Sequence, residues 1–123
     1  MKADRRLSIV VPVLNEAAGI VAALEALAPA RAAGHEVIVV DGGSRDATAA
    51  LAAPLADRVI AAPRGRANQR NAGAAVASGD LLLFLHADTR LPDGAWHGLP
   101  ERVAASGRAW GRFDVRIDGR HPL

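Results

Sequence analysis

The chain has no cysteine, which removes disulfide frameworks, thiolate metal sites and cysteine nucleophiles together. It has no tyrosine, two phenylalanines and two tryptophans, so nucleic-acid bases would find little to stack on. Lys2 is the only lysine among 15 basic residues, and 13 acidic residues bring the formal net charge to +2. The basicity is that of arginine, which is always protonated, and it makes a poor case for a nucleic-acid partner. No apolar run approaches the roughly 20 residues of a membrane span. The start, Met1-Lys2-Ala3-Asp4-Arg5-Arg6, leads into a short strand broken by Pro12, not into the apolar core and small-residue cleavage site of a secretory leader. A cytoplasmic location is therefore expected.

What is present is ordinary globular material. Half of the 123 residues are hydrophobic and 23% are charged, which suits one domain, 1–123, with a sizeable core. Residues 81–85, Leu-Leu-Leu-Phe-Leu, are bounded by Gly79-Asp80 and Pro92-Asp93-Gly94 and read as a strand buried on both faces. Upstream, Leu7 to Val13 and residues 37–40 (Val-Ile-Val-Val) are β-branched apolar runs of the kind that parallel sheets bury. A brief third strand is expected at residues 59–61. Between the strands, Ile20, Leu24 and Leu27 recur at helical spacing behind Asn15 as N-cap, ending near Pro29 and Gly34. A short helix opens after Asp41 and closes around Pro54, and an Ala-rich helix covers residues 67–78. A further helix over about 92–106 and an alternating strand over 113–117 complete the pattern, with Trp96 and Trp110 as packing residues. Strand and helix alternate, so the expected fold class is α/β, a mainly parallel sheet with flanking helices. The ending Gly119-Arg120-His121-Pro122-Leu123 has no closing element and looks like the edge of a fragment.

In a parallel sheet, four polar clusters fall along one rim: Asn15-Glu16, Asp41 to Asp46, Arg66 to Asn71, and His86 to Asp88. That rim is where ligands sit in open α/β sheets. Gly42 and Gly43 suggest close backbone approach to a ligand, or an ordinary turn. The spacing is neither that of a dinucleotide fingerprint nor that of a P-loop. Ionised Asp41 accepts hydrogen bonds only, so it suits a base N–H or a ribose hydroxyl. Arg66 and Arg70 share a helix face near its first turn and suit a phosphate, or are simply solvated. Asp88 suits Mg²⁺ or Mn²⁺ bridging to a diphosphate, or caps the next helix. His86, two residues earlier on the strand, faces the same side as a second metal ligand or a hydrogen-bond partner.

Four motifs in order resemble the donor half of family 2 glycosyltransferases of the GT-A fold: residues 9–16 (Ile-Val-Val-Pro-Val-Leu-Asn-Glu), residues 40–48 with Asp41-Gly42-Gly43-Ser44, Arg70-Asn71-Ala72-Gly73, and the strand ending His86-Ala87-Asp88. The resemblance covers about residues 7–117. It implies that Pro12, Asn15, Glu16 and Asp41 hold the base and ribose of a nucleotide-sugar, with Gly43 in the turn beside them and Arg70 near the nucleotide. Asp88 corresponds to the last acid of the family's Asp-x-Asp metal motif. Two positions depart: the usual Asp-Asp-Gly-Ser is Asp41-Gly42-Gly43-Ser44, and the first metal-motif acid is His86. They bear on base preference and metal dependence, and the tail Trp110-Gly111-Arg112-Phe113-Asp114-Val115 is similar to a small bacterial subgroup that shares them. Family members are longer, with the acceptor site and general base in a second half, so this chain is expected to bind a donor without efficient transfer. Two other classes stay open: a nucleotidyltransferase, and a non-catalytic binding or assembly module that pairs as a homodimer through an exposed sheet edge.

Overall fold

The computed structural model describes residues 6–89 and Trp96. The order is β1 (Leu7–Val13), α1 (Ile20–Glu25), α2 (Ala28–Ala32), β2 (Glu36–Asp41), α3 (Thr48–Ala52) running into a 3-10 turn at Ala53–Leu55, β3 (Arg58–Ala61), α4 (Arg66–Val76) and β4 (Leu81–Phe84). Four parallel strands stand in the order β3-β2-β1-β4. The α/β class, the parallel sheet and the strand positions are as the sequence predicts, but β4 is not buried on both faces as expected: Phe84 is 40% exposed, because among the described strands it lies at the sheet edge beside β1 alone. The helix over 92–106, the strand over 113–117 and Trp110 lie outside the described residues.

Helices cover both faces. On one side Leu7, Ile9, Val11 and Val13 of β1 and Val37 and Val39 of β2 meet α1, α2 and α3 in a continuous core, joined by Trp96. On the other, Val10, Ile38 and Val40 lie under α4, through Ala72 and Val76. Most of these β1 and β2 side chains are fully buried, and each such Val, Leu or Ile contributes about 1.5–3 kcal/mol. Two-sided burial explains why β1 and β2 are apolar throughout rather than alternating.

Pro12 sits in a central strand, where a missing N–H usually costs a ladder bond. Here the loss falls on one side only. Val10 O accepts the Leu85 N–H, whereas Val13 O accepts the Gly42 N–H, so even positions of β1 address β4. Pro12 stands where the next N–H toward β4 would be and ends that ladder at Phe84, leaving the β1–β2 ladder intact.

The expected single helix behind Asn15 is two. Pro29 has no N–H for the Glu25 carbonyl and its ring crowds that carbonyl, so α1 stops at Glu25 and α2 restarts with Pro29 in its first turn. Gly34, at φ +101°, ends α2. His35 N–H reaches Ala30 O at 3.1 Å and Gly34 N–H reaches Arg31 O at 2.9 Å, the paired bonds of a Schellman ending.

At the amino-terminal edge of the sheet the buried Glu36 carboxylate accepts from Ser8 Oγ (2.7 Å), Ser78 N (3.0 Å) and Ser78 Oγ (3.1 Å). Arg6 Nη1 donates to Ser78 Oγ at 2.6 Å. Burial pushes Glu36 up, but these bonds and the Arg6 charge outweigh it and hold the carboxyl below the usual glutamate range.

Candidate functional site

The carboxyl ends of β1 and β2 release two loops that are tied to each other. Asn15 N–H donates to Ser44 Oγ and Arg45 N–H donates to Asn15 Oδ1, both at 2.8 Å. Glu16 N–H donates to Thr48 Oγ1 at 2.8 Å, and Ala17 N–H to Asp46 Oδ2 at 3.1 Å. Asn15 is therefore not the N-cap of α1, whose N-cap is Gly19 without a side-chain bond. It lies instead at φ 53°, the left-handed region that Asn tolerates better than most residues. The Glu16 carboxylate makes no hydrogen bond among the described residues and is half-buried at the rim.

The Asp41 carboxylate is partly used within its own turn. Oδ2 accepts Gly43 N–H at 3.3 Å and Ser44 N–H at 3.0 Å, and Oδ1 accepts the Ser44 hydroxyl. Each carboxylate oxygen offers about two lone-pair sites, so acceptor capacity remains for a ligand. Gly43, at φ +99° with open space where a Cβ would stand, is the turn's left-handed residue. Gly42 is different: a Cβ there would lie 2.7 Å from Gln69 Oε1. The missing side chain there makes room for that amide. Asp46 closes the loop pair: the Thr48 hydroxyl above all, with Thr48 N–H and Ala17 N–H, holds its carboxyl below the usual aspartate range.

Helix α4 brings the third cluster. Gly65, at φ +137°, precedes it, and no side chain caps its first N–H groups. Arg66 is exposed on the first turn. Arg70 lies over the Phe84 ring, 5.5 Å from its centroid, and its buried Nε has no hydrogen-bond partner among the described residues. A partnerless buried guanidinium N–H at a ligand rim is suited to an anion. Gln69, within the Arg66 to Asn71 cluster but given no role by its sequence context, is 5% exposed. The missed signal was spacing: Gln69, Ala72 and Val76 fall on one helix face, and the last two pack against the sheet.

The fourth cluster leaves β4. The strand ends at Phe84, and Thr89 N–H donates to His86 O at 3.0 Å, so residues 86–89 form a turn. The β ladder ends at Phe84, but burial goes on alternating: Leu85 and Ala87 are buried, and His86 and Asp88 share the opposite, open side. Both are exposed, and among the described residues Asp88 Oδ1 has only the Thr89 hydroxyl, at 3.5 Å. Among the described residues no group of three or more His, Asp or Glu side chains gathers as a metal cage. One carboxylate and one imidazole on an open rim nonetheless fit a hard cation that completes its shell with diphosphate oxygens and water.

The four clusters thus share the carboxyl rim of the parallel sheet, as the sequence predicts. Hydrogen bonds join the β1 and β2 loops to each other and α4 to both strands; among the described residues none joins His86 or Asp88 to them.

Similar proteins agree with this geometry. The sequence matches Glycosyl transferase family 2 over residues 8–122. It is 40% identical over 91 residues to a PGL/p-HBAD biosynthesis glycosyltransferase of Mycobacterium bovis, covering 68% of this chain and 36% of the relative. It is 36% identical over 122 residues to the succinoglycan biosynthesis protein ExoO of Rhizobium meliloti, covering 93% of this chain and 35% of the relative. The chain thus spans about a third of the length of these curated relatives. Among solved structures it resembles glucosyl-3-phosphoglycerate synthase of Mycobacterium tuberculosis in complex with Mn²⁺, UDP and glucosyl-3-phosphoglycerate, with TM-score 0.63 and 29% identity over 69% of this chain and 34% of that one. It also resembles the mannosyltransferase PcManGT of Pyrobaculum calidifontis in complex with GDP-Man and Mn²⁺, with TM-score 0.65 and 28% identity over 73% of this chain and 29% of that one. The fold is therefore that of the GT-A glycosyltransferases, and the chain belongs to glycosyl transferase family 2.

Proposed function

We propose that the rim binds a nucleotide-sugar donor, foremost a UDP-sugar, together with Mg²⁺ or Mn²⁺, for inverting glycosyl transfer to an acceptor not yet identified. The observation that carries this is the reversal of strand order at β1: β2 and β3 build outward on one side and β4 on the other. Open α/β sheets bind ligands in the crevice at such a reversal. Asn15-Glu16 and Asp41 border it on one side and Asp88 on the other. The relatives solved with UDP or GDP-Man and Mn²⁺ support the ligand class. A nucleotidyltransferase would want a Gly-rich, basic loop after β1, where this chain has Leu14-Asn15-Glu16.

In this reading Asp41, Glu16 and the Pro12–Asn15 backbone take the base and ribose, with Gly43 giving the turn its close approach. Arg66, Arg70 and the uncapped N–H groups of α4 face the diphosphate. Asp88 holds the cation, with His86 beside it, and the bound cation offsets charge on the departing diphosphate. The base that deprotonates the acceptor hydroxyl lies outside the described residues. The reading places the protein in a bacterial cytoplasm. Among the described residues no helix is long and apolar enough to cross a membrane.

Calorimetric titration with UDP and GDP, with and without Mn²⁺, tests it on the wild type and on Asp88→Ala. Mn²⁺-dependent binding that the substitution abolishes is expected. Failure of both nucleotides to bind, or binding indifferent to the metal and to Asp88, overturns it.

A further inference from the structure

The departure at Gly42 and the buried amide of Gln69 are one feature. Gln69 Nε2 donates to Val13 O at 3.0 Å and to Val40 O at 2.9 Å, bridging the ends of β1 and β2 from the helix above. Its Oε1 accepts Gly65 N–H at 3.1 Å. The amide's two donors and its oxygen are thus all engaged, so swinging it aside breaks all three bonds. A Cβ at Gly42 would stand 2.7 to 3.0 Å from its terminal atoms. Any residue larger than glycine at position 42, an aspartate included, would displace it.

We propose that Gln69 is a positioning residue for the donor nucleotide. Its amide fixes the separation of the two strand ends that present Asn15-Glu16 and Asp41, and through Gly65 it sets the start of the helix that carries Arg66 and Arg70. Gly42 is the space that this clamp requires. Gln69 touches no ligand; it acts through the strand ends. The proposal deepens the donor-binding reading and rests on it.

Three variants of the full chain test the clamp. Gln69→Met keeps length and apolar bulk but makes none of the three bonds. Gly42→Ala crowds the amide. Ser8→Ala removes a bond to Glu36 at the opposite end of the sheet and controls for general loss of stability. With UDP and Mn²⁺, well below each unfolding midpoint, Gln69→Met and Gly42→Ala are expected to weaken binding about tenfold or more, as loss of an orienting hydrogen-bond shell does. Ser8→Ala should leave binding unchanged at similar loss of stability. In the free protein, amide exchange at Asn15, Ser44 and Glu16 should quicken in Gln69→Met and not in Ser8→Ala. Full affinity and unchanged exchange in Gln69→Met, or equal losses in Ser8→Ala, overturn the clamp. If the wild type binds neither UDP nor GDP, the donor reading has failed and the positioning role falls with it; the exchange result then decides only whether the amide orders the loops.

Discussion

Gly73 of α4 lies directly on Val10 of β1: a methyl group added to the glycine would come within 2.4 Å of Val10 Cγ1 and 3.1 Å of Val40 Cγ2. Helix and sheet meet here backbone to side chain. Gly73→Ala gains about 1 kcal/mol of helix propensity but meets an overlap of the kind that costs about 1–3 kcal/mol. A net loss of stability is expected in urea unfolding, with weaker nucleotide binding because α4 carries Arg66 and Arg70 away from the rim. Stability equal to or above the wild type would show that the helix shifts without penalty.

Asn15 has two separable contributions. Its backbone sits at φ 53°, and its Oδ1 ties the Arg45 N–H. Asn15→Ala should lose both, at about 1–2 kcal/mol for the left-handed backbone plus about 1 kcal/mol for the bond. Asn15→Gly should recover the first and not the second. Chemical unfolding of the pair separates the two contributions, and equal stability of Ala and Gly variants would contradict the backbone part.

Arg70 is a case where stability and binding pull apart. Burying its Nε without a partner costs about 1–3 kcal/mol, and Met would keep the contact with Phe84 while removing that N–H. Arg70→Met is expected to unfold at the same or a higher temperature yet bind UDP less tightly, with a shallower dependence on salt. Unchanged affinity would remove Arg70 from the diphosphate site.

Glu36 sets an acid limit. Its folded carboxyl lies below the ordinary glutamate range, so the unfolded chain takes up the proton first as pH falls. Its stabilisation is complete above the unfolded value and is lost as pH drops through the folded one. Thermal unfolding followed by circular dichroism should therefore show a midpoint that falls from the ordinary glutamate range downward, and Glu36→Gln should make the fall shallower. An unchanged slope would assign the acid sensitivity elsewhere, with Asp46, shifted the same way, the next group to test.

The two central strands were legible because burial on both faces leaves an unbroken apolar run, as in Val37 to Val40, and the parallel order of the sheet followed from the helices between strands. The rim was legible for the same reason: polar residues appear where each run ends. Pro29 misled because a proline suits the first turn of one helix as well as the end of another. Gln69 was hidden because a polar residue in an Ala-rich helix reads as surface, and only the carbonyls of Val13 and Val40, 56 and 29 residues away, make it a core residue. Asn15 was misread because a local cap and a bond to a distant loop use the same side chain.

The strand order also has a consequence for how the chain is made. β1 precedes its sheet neighbours in the chain, yet it acquires its second one only when β4 arrives, as the bond from Arg6 N–H to Asp80, 74 residues on, makes plain. Closing so long a loop is slow compared with joining β1 to β2. Until then one whole edge of a buried, largely apolar strand stands open, so a nascent chain stopped before residue 81 should be the form that aggregates and that holdase chaperones retain.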